Sequence, residues 1–284
     1  MHVREKYVGR IRESIRELAD RLVPVQLTIS VGSSPISAYR RPTLFPNNDV
    51  SIDQTLYALL FEKEDGTPLA GIVNYAVHPT ILHPSAVQRA NRVSTECVGM
   101  AMNELEDQTG GGFVALFTQG FSGDVAPVLP GIGTLEDSYN NVKQAGHQLF
   151  VDISRALETK EEIDSSTIRT ARQKVAIPTR DGYYKPFLEV TIYGVSLGEV
   201  ALIFAPGEIF NGYVDKFKQV SLFRYTIPIS MTNGHPGYFP TAEAFHEGKG
   251  GYELTVTPFD ERVDAMLTAA AGSVLEELFH NKQD

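Results

Sequence analysis

Cysteine is almost absent from this sequence, and positive charge is scarce. Cys97 is the single cysteine among 284 residues, so the chain can form no internal disulfide and no oxidising compartment is indicated. The 25 Lys and Arg side chains are outnumbered by 35 Asp and Glu, and they form no basic stripe. The formal net charge of −10 repels a phosphate backbone, so we expect no nucleic-acid partner.

Long apolar runs are also missing. The longest, such as residues 200–206, are far shorter than the ~20 residues needed to span a bilayer, so no integral membrane segment is predicted. Residues 4–22 are charged, and their apolar side chains recur at helical spacing, which is not the pattern of a signal peptide. A chain that opens in such a helix either starts there naturally, which predicts a cytoplasmic protein, or is truncated. Its composition leaves both alternatives open and indicates no oligomeric state.

Glycine and proline cluster only at turns, so no linker divides the chain and residues 1–284 are predicted to form one domain. Runs with helical periodicity alternate with short apolar runs, and residues 55–62 and 70–77 are predicted to form a β-hairpin. The helices are predicted over residues 4–22, 93–105, 135–157 and 208–219, with a closing helix that carries Val263, Leu267, Val274 and Leu278 on one face. The other strands are predicted over residues 25–32, 113–118, 168–177, 187–195, 199–205 and 225–231. This pattern predicts a layered α/β fold of mixed β-sheets flanked by helices.

Two candidate functional side chains follow predicted strands. His78 ends one strand, where Pro79 stops it, and imidazole is a common zinc ligand and general base. Glu208 follows another strand at the start of a predicted helix, whose dipole would favour an ionised carboxylate. The alternatives are a structural histidine and an ordinary helix-start glutamate.

Two further candidates lie in irregular segments. His235 belongs to the aromatic loop of residues 233–241, where it is either a ligand or a turn histidine before proline. Tyr252 follows two glycines, and its phenol is suited to hydrogen bonding with a developing oxyanion.

Taken together, six short segments resemble the neutral/alkaline non-lysosomal ceramidase family, in the family's order and over nearly the whole chain. They are residues 34–39 (SPISAY), 74–80 (NYAVHPT), 123–127 (GDVAP), 206–208 (PGE), 238–241 (YFPT) and 251–253 (GYE). The chain is similar to a short bacterial relative of the family's N-terminal catalytic domain. The resemblance implies a layered α/β domain in which Zn²⁺ activates water to hydrolyse the N-acyl bond of ceramide.

The resemblance also implies roles for particular residues. His78, Glu208 and Tyr238 match metal ligands of the family, and Tyr252 matches a tyrosine that assists at the reaction centre. A small-molecule or lipid amide is the implied substrate. His235 is the fallback ligand if Tyr238 does not face the other two.

Three departures limit what the resemblance transfers. The family's other zinc histidine lies in a segment upstream of the first helix, and this chain begins after that point, so we expect a lost strand and exposed apolar side chains near His78. Ala126 stands at the place of an active-site serine. A small residue near Ser33 replaces an arginine, although Arg40 and Arg41 lie close by. These departures leave open a second interpretation, a non-catalytic relative that binds a lipid or glycan.

Overall fold

The computed structural model of the protein describes residues 2–40, 50–82, 93–131, 133–246 and 251–280. The helices in these ranges are α1 (His2–Ala19), α2 (Glu96–Thr109), α3 (Leu135–Leu157), α4 (Tyr213–Gln219), α5 (Ala242–His246), α6 (Gly251–Val256) and α7 (Arg262–His280). The strands are β1 (Gln26–Ser33), β2 (Ser37–Tyr39), β3 (Thr55–Glu62), β4 (Pro68–Tyr75), β5 (Val114–Gln119), β6 (Val125–Pro127), β7 (Glu161–Ile163), β8 (Ile168–Pro178), β9 (Phe187–Leu197), β10 (Val200–Phe204), β11 (Glu208–Ile209), β12 (Tyr225–Ile229) and β13 (Tyr238–Phe239).

A first sheet has the strand order β5-β4-β3-β1-β7, in which β4 and β5 are parallel and the other neighbours antiparallel. One face packs on α2 and α3, with Leu56 and Val73 buried against Leu105 and Leu149. The opposite face packs on a second sheet. Both faces of this sheet are therefore occupied over its centre, as its long apolar strands predict.

The second sheet has the order β12-β10-β9-β8, with β10 and β12 parallel and the other pairs antiparallel. Its inner face contributes Val200 and Leu202 to the core shared with the first sheet. Its outer face is covered by α7. A Cβ on Gly194 of β9 would lie 2.6 Å from Val274 Cγ1, so this glycine lets the helix approach closely. The layers therefore run helix, sheet, sheet, helix, and the predicted layered α/β fold with mixed sheets is confirmed.

One predicted helix boundary is wrong, and it concerns a candidate residue. The helix predicted over residues 208–219 begins at Tyr213, and Glu208 lies instead on the short strand β11. The backbone N–H groups of this segment bond to a neighbouring loop instead of to a helical turn. The Glu208 N–H donates to the Gly237 carbonyl (3.0 Å), and the Phe210 N–H donates to the Phe239 carbonyl (3.2 Å). The helix-dipole argument for Glu208 therefore does not hold.

Apolar side chains remain exposed on the first half of the molecule. The helix α1 forms as predicted, but Val8, Ile11, Ile15 and Leu18 are all exposed. Strand β5 has no neighbour on its outer side within the described ranges, and its Val114 and Leu116 are exposed. This edge adjoins β4, the strand that leads to His78. Among the described helices, none is long and apolar enough to cross a membrane.

Candidate active site

Three residues that lie far apart in the sequence meet in segments that follow the two sheets. His78 follows β4 of the first sheet, whereas Glu208 on β11 follows β10 of the second. Strands β11 and β13 are parallel, with Glu208 directly paired with Tyr238. His78 Nδ1 lies 3.6 Å from Glu208 Oε2, and both side chains are largely buried. The structure therefore brings together all three residues that the resemblance matched to metal ligands.

A glycine-containing loop, residues 120–123, holds the two sheet ends together. The Gly120 N–H donates to the Tyr75 carbonyl (3.0 Å) beside His78, and the Gly123 N–H donates to the Ile209 carbonyl (2.7 Å) beside Glu208. A Cβ on Gly120 would lie 2.8 Å from the Ala76 nitrogen, and one on Gly123 would lie 2.7 Å from the Glu208 carbonyl oxygen. Only glycine permits both approaches.

The turn before Glu208 is tied to the loop that carries His235. Gly207 has a φ of +74°, and a Cβ there would lie 2.5 Å from the Gly237 carbonyl oxygen. Its N–H donates to the Gly234 carbonyl (3.1 Å). This pairing holds His235 Nε2 3.6 Å from Glu208 Oε1, although the histidine side chain is 54% exposed. His235 and Tyr238 thus both face Glu208, so the two were not exclusive alternatives.

Burial and charge set the protonation of the site. Burial lowers the pKa of His78 and the Glu208 carboxylate offsets part of that shift, so the imidazole is neutral at pH 7, the form that binds metals. Burial and the negative charge of Glu208 raise the pKa of Tyr238, so its phenol stays protonated.

Tyr252 occupies the rim of the site rather than its centre. Its side chain is 59% exposed, and its ring centroid lies 6.5 Å from that of Tyr238 in an edge-on arrangement. The segment is helical, since α6 begins at Gly251. Gly250 and Arg41 lie outside the described residues. The predicted catalytic role of Tyr252 stays a prediction.

An ion pair next to the predicted ligands was not foreseen. Arg40 Nε lies 3.6 Å from Glu253 Oε1, and the Glu253 side chain is only 1% exposed. The positive charge of Arg40 lowers the pKa of His78 and of Tyr238, whereas the negative charge of Glu253 raises the pKa of both. In the sequence, Glu253 is only the last residue of the matched segment 251–253, and no other signal singled it out.

Asp124 is buried and links two distant parts of the chain, the segment after β2 and the segment after β11. Its Oδ1 accepts from the Asn211 N–H (2.7 Å), and its carbonyl accepts from the Arg40 N–H (2.7 Å). Burial raises the pKa of the Asp124 carboxyl to about 6.

A cavity of about 810 Å³ adjoins Asp124, and its described walls do not include His78, Glu208 or Tyr238. They include Tyr39, Ile52, Phe210, Lys216 and Thr241.

The imidazole of His78, the carboxylate of Glu208 and the phenol of Tyr238 are donor groups that can bind zinc. Within the described ranges, no group of three or more His, Cys, Asp or Glu side chains is arranged to hold a metal ion. Glu208 Oε2 is nevertheless buried with no hydrogen-bond partner among the described residues. Two ligands at 2.0–2.1 Å from a tetrahedral zinc ion lie about 3.4 Å apart, close to the 3.6 Å between His78 and Glu208. The metal assignment of His78, Glu208 and Tyr238 stays a prediction.

Comparison with known proteins finds likeness in structure and not in sequence. No family model matches the chain, and no curated protein matches it. A crystal structure of neutral ceramidase from Pseudomonas aeruginosa superposes with a TM-score of 0.74 at 17% identity, covering 94% of this chain and 55% of the ceramidase. A structure described as ceramidase complexed with C2 superposes with a TM-score of 0.76 at 16% identity, covering 91% of this chain and 54% of the other. The chain thus has the fold of these ceramidases and spans about half of their length.

Proposed function

We propose that this protein is a zinc-dependent hydrolase of an amide bond between an acyl group and an amine. The observation that carries the proposal is the meeting of His78 and Glu208, 3.6 Å apart and with Tyr238 opposite Glu208, on the fold of a ceramidase. Because two solved ceramidases share the fold, an N-acyl lipid such as ceramide is the first substrate to test. A smaller N-acyl amide is the second.

His78, Glu208 and Tyr238 would hold the metal ion. The neutral imidazole of His78 is ready to donate its lone pair, and the unpartnered Glu208 Oε2 supplies negative charge. A bound cation would favour the ionised phenol of Tyr238, which is opposite to the effect of Glu208 alone. Zinc at such sites supplies Lewis-acid activation of water and of a carbonyl group.

Two features of the chain itself support amide chemistry. The His78 and Glu208 side chains are themselves largely buried, which limits their contact with water and strengthens electrostatic interactions with a reacting carbonyl. Tyr252 at the rim has an exposed phenol that is suited to donate to the developing oxyanion when substrate is bound. Hydrolysis would consume one water and release a carboxylic acid and an amine.

A second function, binding of a lipid or glycan without turnover, is favoured by one observation. Ala126 stands where the ceramidase-like segment would carry a serine, and it lies on β6 paired with Ala38 of β2. A methyl group there offers neither a donor nor an acceptor to a substrate.

Fatty-acid release from N-octanoyl-sphingosine and from a short N-acyl amine, by protein supplied with zinc, tests the proposal. We expect turnover that falls at least ~100-fold in Glu208→Gln, because the carboxylate would hold the ion that lowers the barrier by several kcal/mol. Glu243→Gln is the matched control, since Glu243 is exposed and paired with Lys216 away from the site. Equal turnover in Glu208→Gln and wild type would contradict the proposal, and no turnover of either substrate would favour the binding function.

A further inference from the structure

One side-chain amide connects the segment that carries His78 with the loop that holds Glu208 in place. Gln119 is the last residue of β5, which lies beside β4 in the first sheet. Its Nε2 donates one hydrogen bond to the carbonyl of Val77, the residue before His78, and another to Ser122 Oγ. An amide nitrogen has two hydrogens, so both of them are used here.

The two acceptors are buried, and they determine what the side chain at position 119 must offer. Val77 is 0% exposed and Ser122 is 4% exposed, so an acceptor left without its donor there would not gain a hydrogen bond from water. The Val77 carbonyl can only accept, which requires a donor on the facing side chain. Neither the carboxylate of glutamate nor the thioether of methionine could replace the amide, although both side chains have a similar length.

Ser122 belongs to the loop of residues 120–123, which is tied to the strand of Glu208. The next residue in this loop, Gly123, donates its N–H to the Ile209 carbonyl (2.7 Å). One short stretch of chain therefore contacts the segments of two predicted ligands.

The backbone of Gln119 is held by the second sheet as well as by the first. Its carbonyl accepts from the Ser230 N–H (2.8 Å), and the Ser230 hydroxyl donates to the Gly120 carbonyl (2.7 Å). Ser230 directly follows β12 and is itself 3% exposed. The amide therefore projects from a backbone that is fixed on both sides, so it can hold other groups in place.

We propose that Gln119 is a positioning residue that sets the place of His78 relative to Glu208. It holds the carbonyl that precedes His78, and through Ser122 it holds the loop that is tied to the strand of Glu208. The 3.6 Å between His78 Nδ1 and Glu208 Oε2 is thereby kept at a distance suited to two ligands of one metal ion. The link to metal binding rests on the proposed hydrolase function, whereas the fixed orientation of His78 does not.

Zinc affinity of the full chain, measured by competition with a chromophoric chelator, tests the link to the metal. We expect Gln119→Met to weaken zinc binding at least ~10-fold, as is typical when a group that orients a metal ligand is removed. Gln119→Glu should weaken it too, although its added negative charge alone would favour a cation. Gln54→Met is the matched control and should leave zinc affinity unchanged, since the Gln54 amide donates to the Ser37 carbonyl (2.7 Å), outside the segments of the predicted ligands.

A metal-free measurement decides whether Gln119 orients His78. In protein labelled with ¹⁵N-histidine, the ring nitrogens of His78 should show one tautomer in wild type and an average of two in Gln119→Met, because the ring loses its fixed surroundings. The signals should be unchanged in Gln54→Met, which loses a comparable hydrogen bond elsewhere, so lowered stability alone would not be the cause. Ser122→Ala, which removes one acceptor, should give a smaller change and carries the test if Gln119→Met does not fold.

The outcomes separate this inference from the proposed function. Unchanged His78 signals in Gln119→Met and Ser122→Ala, or an equal change in Gln54→Met, would overturn the inference, and zinc binding by wild type would then leave the hydrolase in place. Unchanged zinc affinity in Gln119→Met would remove its link to the metal. A Gln119-dependent His78 signal in a protein that binds no zinc would support the positioning role and contradict the hydrolase.

Discussion

The helices α1 and α7 are nearly equal in length and both carry an apolar stripe, yet only one of them packs on the protein. Val263, Leu267, Val274 and Leu278 of α7 are buried against the second sheet. The corresponding stripe of α1, including Leu18, is exposed along its whole length. Periodicity therefore predicted both helices correctly but could not predict which of them has a surface to cover.

The two sheets differ in the same way as the two helices. Strands β9 and β10 of the second sheet are covered by α7, whereas Val114 and Leu116 on β5 of the first sheet remain exposed. The candidate site draws on both, because His78 follows the first sheet and Glu208 the second. The stability of the fold and the assembly of the site can thus be tested separately.

The largest effect on stability is expected where the covered helix packs. Leu267→Ala should lower the free energy of unfolding by about 2–5 kcal/mol, because it leaves a cavity in a closely packed core. Leu18→Ala, the same change on the exposed helix, should alter it by less than about 0.5 kcal/mol. Urea denaturation of the two variants and wild type measures both. A loss at Leu18 as large as that at Leu267 would show that α1 packs on a surface in solution.

A smaller, pH-dependent effect on stability is expected at the buried Asp124 carboxyl. Its folded pKa of about 6 lies above the ordinary 3.8, so the protonated form stabilises the fold. That contribution is complete below about pH 4 and is lost as the pH rises through 6. Relative to wild type, Asp124→Asn should therefore gain about 3 kcal/mol of unfolding free energy between pH 4 and pH 7, because the amide cannot ionise.

Chemical denaturation of wild type and Asp124→Asn at pH 4, 5, 6 and 7 provides the check. The amide side chain introduced by this substitution keeps an oxygen to accept from the Asn211 N–H, so the loss of that hydrogen bond does not confound the comparison. Parallel stability curves for the two proteins would show that Asp124 ionises in the folded state as readily as in the unfolded chain.

Local pattern sufficed for the longer elements of the fold. The helix of residues 135–157 and the hairpin of β3 and β4 have the predicted positions to within two residues, because each is set by periodicity and by turn residues within the segment. The helix predicted at residue 208 failed because the Glu208 and Phe210 N–H groups bond to residues 237 and 239, which are distant in sequence. No local signal carries that information.

The site was accessible to sequence reasoning only through the combination of motifs. His78 and Glu208 each had an ordinary structural explanation, and only the joint resemblance to a family linked them to Tyr238. The Arg40–Glu253 ion pair was missed because it joins residues more than two hundred positions apart, and the partnership of His235 with Glu208 depends on the close contact of Gly207 with Gly237. Such contacts follow from the packing of the two sheets, which periodicity does not determine.

Zinc binding by the full chain tests most directly whether the segments that follow the first and the second sheet build one metal site. Protein purified without chelators and dialysed against zinc should retain about one equivalent of metal, and both His78→Ala and Glu208→Ala should lose it while Glu243→Ala keeps it. Loss in both variants would show that the residue following the first sheet and the residue following the second are both needed. Retention of less than about 0.1 equivalent by wild type, with no rise in its melting temperature on adding zinc, would contradict the account.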